Sequence, residues 1–212
     1  MPASVAPAAA RRDRGQPLQR RRARARIAAM ANRPFQRLQR EVLVENSWHR
    51  YCKDRYTQRD GSEGVYYYID MPGSCGTIPV FADGTTLLVR VHRYLLGGDF
   101  WEFPIGGMKP GEEPLAIAQK ELLEEAGVSA NRWTPLGRFA PYKGVSNEIC
   151  HYFLAQDLEQ KAQELEASEQ ISVHRMPLHE ARQRIVDQDC SDGQSLAGLV
   201  LLDRWLGRGN RL

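Results

Sequence analysis

The chain has 212 residues and a mass of 24.1 kDa, with 42% hydrophobic and 26% charged residues. These values fit one packed domain with a tail and exclude global disorder. The longest apolar run, residues 196–202, is too short to span a membrane. The four cysteines form no C-x-x-C pair, which argues against a disulfide framework or a cysteine zinc site and favours the reducing cytoplasm.

The net charge of +3 is divided unevenly along the chain. Residues 1–40 hold eleven arginines and one acid, so this segment carries +10 and residues 41–212 carry −7. We predict a disordered tail over 1–40 and a folded domain over 41–212. Three interpretations of the tail remain open: an organellar targeting segment, an arm for nucleic acid or a membrane surface, or a start assigned too early, with Met30 as the true start.

The predicted elements follow in chain order. Strands are predicted at 65–70, 77–82, 85–92 and 100–104, and Asp83-Gly84 predicts a hairpin between the second and third of them. A glycine loop at Gly106-Gly107 precedes a helix that begins near Pro114 and ends at Gly127. Strands near 133–140, 148–156 and 171–176 and helices near 178–186 and 193–206 complete a layered α/β (α+β) domain.

Three carboxylates share one face of the predicted helix. Glu121, Glu124 and Glu125 lie at i, i+3 and i+4 in its last turn, where they repel one another and the helix dipole disfavours anions. A hard divalent cation relieves both penalties, since Mg²⁺ and Mn²⁺ take carboxylate oxygens. A solvated acidic helix face is the alternative interpretation.

The loop and helix together resemble the Nudix box, G-x5-E-x7-R-E-U-x-E-E-x-G-U, where U is a bulky aliphatic residue. The matching positions are Gly106, Glu112, Glu121, Leu122, Glu124, Glu125, Gly127 and Val128. Lys120 stands where the family has an arginine that orients the adjacent glutamate, and lysine lacks the planar fork. The resemblance implies a Nudix fold, with a mixed sheet sandwiched between helices and an antiparallel strand region at the N-terminus.

Residues outside the box resemble the ADP-ribose pyrophosphatase branch of this family, from about Glu41 to Trp205. They include Trp48, the segment Leu87-Leu88-Val89-Arg90, Arg93, Trp101-Glu102-Phe103-Pro104, Pro141 and Ser146-Asn147-Glu148. The resemblance implies a hydrolase that splits ADP-ribose into AMP and a sugar phosphate. It also implies a homodimer formed through the N-terminal strands.

The resemblance also assigns roles to individual residues. Glu121, Glu124 and Glu125 hold Mg²⁺, or Mn²⁺, with the carbonyl of Ile105 as a further ligand. Arg93, Glu102, Trp48 and Glu148 form the substrate site, while Gly106, Glu112, Lys120 and Gly127 support the box. The alternatives are an exposed charge at a strand end for Arg93, an acid at the start of the helix for Glu112 and a core residue for Trp48. The general base comes from a loop before the strand at 171–176, with Glu166 and Glu169 as candidates. A solvated acid on an amphipathic 158–169 helix is the alternative for both.

Several functions remain open at this stage. The substrate is ADP-ribose, another nucleoside diphosphate sugar, NADH or a dinucleoside polyphosphate. A non-catalytic protein that binds nucleotide sugars is the alternative from another class. The partners expected are a small nucleotide and a second copy of the chain. We expect no membrane, and nucleic acid only through the arginine-rich tail.

Overall fold

A computed structural model describes residues 35–163 and 171–212. In these residues the chain forms ten strands and three helices in a mixed α+β order, which confirms the predicted fold class. The strands are β1 (Arg37–Glu45), β2 (Arg50–Thr57), β3 (Glu63–Asp70), β4 (Ser74–Pro79), β5 (Thr85–Arg93), β6 (Gly98–Glu102), β7 (Ile105–Gly107), β8 (Val128–Phe139), β9 (Cys150–Gln160) and β10 (Ile171–Pro177). The helices are α1 (Pro114–Ala126), α2 (Leu178–Val186) and α3 (Gly193–Leu206). No helix in the described ranges is long and apolar enough to cross a bilayer.

The chain divides into two compact units, Met1–Val42 with Cys52–Tyr67 and Leu43–Tyr51 with Tyr68–Leu212. Most of the described residues of the first unit belong to the three-stranded sheet β1-β2-β3, although each of these strands has residues that are assigned to the second unit. Strand β1 begins at Arg37, so residues 37–40 lie in a strand and the folded part starts before the predicted boundary at residue 41. The rest of the predicted tail, residues 1–34, lies outside the described residues.

Two sheets form the centre of the second unit. One has the order β7-β4-β9-β8 and the other the order β10-β5-β6. Strands β4 and β9 run parallel, with Ser74 opposite Cys150, whereas β4 and β7 run antiparallel. This sheet is therefore mixed, as the resemblance implies.

The predicted hairpin between β4 and β5 is wrong. Asp83-Gly84 does form a turn, in which Asp83 Oδ1 accepts hydrogen bonds from the amide and hydroxyl of Thr85. However, the two strands belong to different sheets and meet in an isolated bridge between Val80 and Thr86. All six residues of β4 are buried. The strand lies inside its sheet, between β7 and β9, so both of its edges are already paired and β5 cannot pair with it along its length. The predicted 158–169 helix is also wrong at its start, because β9 continues to Gln160.

The free edge of β6 is capped by side chains. The Gln188 amide accepts a hydrogen bond from the Trp101 N–H at 2.7 Å and donates one to the Trp101 carbonyl at 3.1 Å. Two residues farther along, Ser195 Oγ accepts the Phe103 N–H at 2.9 Å. Three backbone groups at this edge are thus hydrogen-bonded to side chains and not to a further strand.

A tyrosine lies at the centre of the core between β4, β9 and α3. Tyr152 is fully buried, and its ring occupies a slot bounded by Gly76 and Gly198. A Cβ built on either glycine would overlap the ring. Both positions therefore require glycine because of close packing and not because of a turn.

Candidate active site

A cavity of about 560 Å³ lies beside the loop and helix of the box, within the second unit. Its walls come from the β1–β2 turn, the segment between β3 and β4, the end of β5, the glycine loop and α1. The lining residues are Ser47, Trp48, Met71, Pro72, Gly73, Arg93, Ile105, Gly106, Gly107, Met108, Lys109, Lys120, Glu121, Glu124 and Glu125. Of the predicted site residues, the structure thus brings together the three box glutamates, Ile105, Gly106, Lys120, Arg93 and Trp48.

Helix α1 places the three carboxylates at the cavity. It begins with Pro114 in its first turn and ends at Gly127, which has a φ of 64° and donates its N–H to the Leu123 carbonyl. Glycine adopts this left-handed conformation without strain, so the predicted stop at Gly127 is confirmed. Leu122 and Ala126 on the opposite face pack into the core and fix the rotation of the helix.

Gly106 leaves space for one of these carboxylates. A Cβ built on Gly106 would overlap the carboxyl group of Glu121, so any larger residue would displace that side chain. The neighbouring Gly107 has open space at the same position. The first glycine of the predicted loop is therefore needed because its missing side chain makes room for the Glu121 carboxylate.

Glu124 and Glu125 accept hydrogen bonds from neighbouring groups. Glu125 is buried, and its Oε2 accepts a hydrogen bond from the Ile105 amide at 3.0 Å, which ties α1 to β7. Glu124 Oε2 accepts a hydrogen bond from Lys120 Nζ at 2.7 Å, whereas Lys120 Nζ lies 3.7 Å from Glu121 Oε1. Lys120 therefore pairs more closely with Glu124 than with Glu121, the residue that the family's arginine orients.

The site residues fit a hard cation by their chemistry, although the carboxylates stand apart. Among residues 35–163 and 171–212, no three His, Cys, Asp or Glu side chains are close enough to hold a metal ion as they stand. Glu121, Glu124 and Glu125 nevertheless line the same cavity and offer the carboxylate oxygens that Mg²⁺ prefers. Gly106 carries no side chain, so the Glu121 carboxyl can lie against the glycine loop at this cavity.

Arg93 and Glu102 form a bidentate pair at the cavity edge. Arg93 Nε donates to Glu102 Oε1 at 2.7 Å, and Arg93 Nη2 donates to Glu102 Oε2. Glu102 is buried, with 3% of its surface exposed, and does not line the cavity. It therefore holds Arg93, whereas the sequence places it in the substrate pocket.

Burial and pairing shift the pKa of both groups. Loss of solvent raises the pKa of Glu102, and the hydrogen bonds and charge of Arg93 oppose this shift. The hydrogen bonds to Glu102 raise the pKa of Arg93. The guanidinium is therefore a permanent cation at the cavity.

Four further predicted residues remain: Glu112, Glu148, Glu166 and Glu169. Glu112 Oε2 accepts the Lys109 N–H at 2.6 Å, so it shapes the loop that carries Lys109, in agreement with a supporting role. Glu148 is buried and accepts a hydrogen bond from Ser74 Oγ at 2.6 Å, and it is not among the cavity-lining residues. The structure therefore does not place Glu148 at the cavity, where the sequence predicts that it contacts the substrate. Glu166 and Glu169 lie outside the described residues.

Trp48 is presented by a tight turn between β1 and β2. Asn46 Oδ1 accepts hydrogen bonds from the amides of Trp48, at 2.9 Å, and His49, at 2.8 Å. The indole is 76% exposed and lines the cavity. An exposed tryptophan at a polar cavity offers a flat surface for stacking.

The sequence does not predict the wall made by Met71, Pro72 and Gly73, or the lining role of Met108 and Lys109. The Pro72-Gly73 pair marks a turn, but only the pairing of β4 with β7 shows that this turn faces the box. The Gly73 carbonyl accepts the Met108 N–H at 2.9 Å, which joins the wall to the glycine loop. These contacts join distant parts of the chain, so local patterns do not reveal them.

Comparison with known proteins identifies the family. The NUDIX domain model matches residues 72–191, more than half of the chain. The ADP-ribose pyrophosphatase of Bacillus subtilis (strain 168) is 30% identical over 133 residues, which cover 62% of this chain and 72% of that protein. The ADP-ribose pyrophosphatase of Mycobacterium tuberculosis is 24% identical over 176 residues, 81% of this chain and 84% of that protein.

A solved structure shows the same fold. The crystal structure of an ADP compounds hydrolase matches with a TM-score of 0.72 at 22% identity, and the match covers 85% of this chain and 98% of that one. The matched NUDIX domain contains the glycine loop, α1 and the cavity-lining carboxylates. Motif, fold and cavity therefore agree, and the chain is a member of the Nudix hydrolase family.

Proposed function

We propose that this protein is a Mg²⁺-dependent pyrophosphohydrolase of linked nucleoside diphosphates, which converts ADP-ribose into AMP and ribose 5-phosphate. The observation that carries the proposal is the single cavity that combines the box carboxylates with Arg93 and Trp48. Hydrolysis of a diphosphate requires neutralisation of its charge and a positioned nucleophile. The relatives named ADP-ribose pyrophosphatase favour ADP-ribose among the linked diphosphates.

Glu121, Glu124 and Glu125 are the residues that would hold Mg²⁺, with Mn²⁺ as the alternative. When bound, the metal supplies Lewis-acid neutralisation of the phosphoryl oxygens. Glu124 is paired with Lys120 in the structure, so a metal held by this carboxylate would compete with the Lys120 ammonium. Lys120 itself lines the cavity, so its charge would also be available to the phosphate oxygens of the substrate.

Arg93 binds the diphosphate in this proposal. A guanidinium has five N–H donors, and the bidentate contact with Glu102 uses two of them. The remaining donors are free for phosphate oxygens, and the fixed plane of the group orients them. Trp48 stacks on the adenine base.

We propose Glu166 or Glu169 as the general base that accepts a proton from the attacking water. Both precede β10 in the chain, as the resemblance implies for this role. Glu166→Gln and Glu169→Gln test the assignment, because replacing the base lowers kcat by about 10² to 10⁴. Equal kcat values for both variants and the wild type would exclude both residues.

We also propose a homodimer that covers β1. All nine residues of this strand are exposed, including the apolar Leu38, Val42 and Val44. Val65, Tyr66 and Tyr67 on β3 are exposed as well. Apolar clusters of this kind are typical of association surfaces. Light scattering tests the state, and Val42→Glu with Val44→Glu is expected to yield a monomer.

We place the protein in the cytoplasm. Its four cysteines are free thiols, of which Cys190 is exposed, and such thiols persist in reducing compartments. Fractionation of cells that produce the tagged full chain tests this location. Recovery of the protein from an organelle would instead favour a targeting role for residues 1–40.

A substrate panel tests the main proposal. Phosphate-monoester release is measured with and without Mg²⁺ on ADP-ribose, other nucleoside diphosphate sugars, NADH and dinucleoside polyphosphates. We expect ADP-ribose to have the highest kcat/KM, and Glu125→Gln to lose most of this activity. Failure of the wild type to release AMP from ADP-ribose, or full turnover by Glu125→Gln, would contradict the proposal. Binding of these compounds without turnover would instead support a non-catalytic protein.

A further inference from the structure

One wall of the cavity is a short connection that cannot fix its own position. Met71, Pro72 and Gly73 join β3 to β4 and line the cavity. Pro72 has no N–H to donate, and Gly73 has a φ of 126°, outside the extended region of a strand. A wall of this kind takes its position from contacts with other segments.

The side chain of Asn147 provides such contacts. Its Oδ1 accepts the Met71 N–H at 2.8 Å, and its Nδ2 donates to Asp70 Oδ1 at 2.7 Å. The Asn147 N–H also donates to the Ile69 carbonyl at 3.3 Å. Asn147 is exposed and is not among the residues that line the cavity. It therefore acts on the cavity through the wall.

The same network reaches the turn that carries Trp48. The carboxylate of Asp70 accepts from Asn147 and also pairs with Arg50, whose Nε lies 3.2 Å from Asp70 Oδ2. Arg50 begins β2 and follows Trp48 by two residues. Asp70 thus connects the Met71–Gly73 wall with the start of β2, which follows the turn that carries Trp48.

We infer that Asn147 is a positioning residue for substrate. It holds the Met71–Gly73 wall directly, and it holds the Trp48 turn through Asp70 and Arg50. The distance between this wall and this turn then admits the nucleoside half of the substrate. An amide suits this position because it accepts one hydrogen bond and donates another. The substrate named here rests on the proposed function, whereas the network itself does not.

Two substitutions separate the contacts of Asn147. Asn147→Ala removes both side-chain hydrogen bonds. Asn147→Asp keeps an acceptor for Met71 but sets a second carboxylate against Asp70. We expect KM to rise about tenfold in each variant, the equivalent of one lost hydrogen bond, while kcat changes less than about threefold. Hydrogen exchange at the Met71 amide, followed by NMR, should accelerate in Asn147→Ala.

An exchange of the two side chains provides the rescue. In the double variant Asp70→Asn with Asn147→Asp, the amide at position 70 donates to the carboxylate at position 147, which still accepts the Met71 N–H. We expect KM to return to within about threefold of the wild type, although Arg50 then keeps Glu45 but not Asp70 as a charged partner. Asn131→Ala is the matched control, because Asn131 is an exposed asparagine that bonds Glu159 on the β8–β9 pair.

The outcomes distinguish this inference from the proposed function. Unchanged KM in Asn147→Ala, a loss of kcat alone, or unchanged Met71 exchange would overturn the positioning role. Kinetics use whichever panel compound the wild type hydrolyses best. If the wild type hydrolyses none of them, the proposed function fails and ADP affinity by calorimetry takes the place of KM. Equal ADP affinity in the wild type and Asn147→Ala then overturns the inference.

Discussion

Both carboxylate oxygens of Glu102 accept hydrogen bonds from the guanidinium of Arg93. Glu102 is buried, whereas Arg93 lines the cavity. The pair spans adjacent strands, because Arg93 ends β5 and Glu102 ends β6. A buried carboxylate without its partner is costly, so each residue fixes the other. The position of the Arg93 guanidinium thus depends on a side chain that does not line the cavity.

We expect Glu102→Gln to weaken substrate binding more than turnover. Glutamine retains one acceptor oxygen and turns an N–H₂ group toward the guanidinium, so the fork contact is lost. KM should rise about tenfold, with a smaller change in kcat. Steady-state kinetics check this, with the exposed Glu113→Gln as control. A KM equal to that of the wild type would show that Arg93 is placed by other contacts.

We expect Gly106→Ala to inactivate the enzyme while the chain remains folded. The new methyl group would occupy the space of the Glu121 carboxyl, and displacement of a proposed metal ligand is expected to lower kcat by about 10² or more. Activity and circular dichroism are compared with those of Gly107→Ala, where the added methyl group meets open space. Equal losses in the two variants would contradict a specific role for the Gly106 space.

We expect Gly198→Ala to destabilise the fold by about 1–3 kcal/mol, because the methyl group would overpack the ring of Tyr152. Gly193→Ala, in the same helix and with open space around it, is the matched control and should change the free energy of unfolding by less than about 1 kcal/mol. Urea denaturation measures both. Equal effects of the two substitutions would show that the slot tolerates a methyl group.

Two buried thiols predict a loss of stability at alkaline pH. Burial raises the pKa of Cys75 and of Cys150 to about 12, from 9.0. Above pH 9 the unfolded chain releases these protons while the folded chain keeps them, so the free energy of unfolding falls as pH rises toward 12. At pH 10 the loss is about 1 kcal/mol per thiol.

Denaturation between pH 8 and pH 10 checks this dependence. Cys150→Ala should show a smaller decrease over this interval than the wild type, whatever its stability at pH 8. Cys190→Ala is the control, because Cys190 is exposed. Identical pH profiles for the wild type and Cys150→Ala would remove the buried thiol as a cause.

Local patterns predict much of the fold and of the site. The extent of α1 and its Gly127 stop are confirmed, because helix periodicity and capping are local properties. The pairing of β4 is not predictable in this way, since its partners β7 and β9 are set by packing on both faces. For Glu102 a local signal exists: Phe100 and Glu102 are both buried and share one face of β6, which points the carboxylate inward.

The parallel pairing of β4 with β9 has a consequence for how the molecule matures. Ser74 and Cys150 face each other across 76 positions of chain, so a large loop must close before the ladder can form. Long-range pairings of this kind slow folding and tend to form late. During synthesis, the wall beside β4 must therefore wait until the ribosome has released β9, and a nascent chain ending before residue 150 cannot complete the nucleotide pocket.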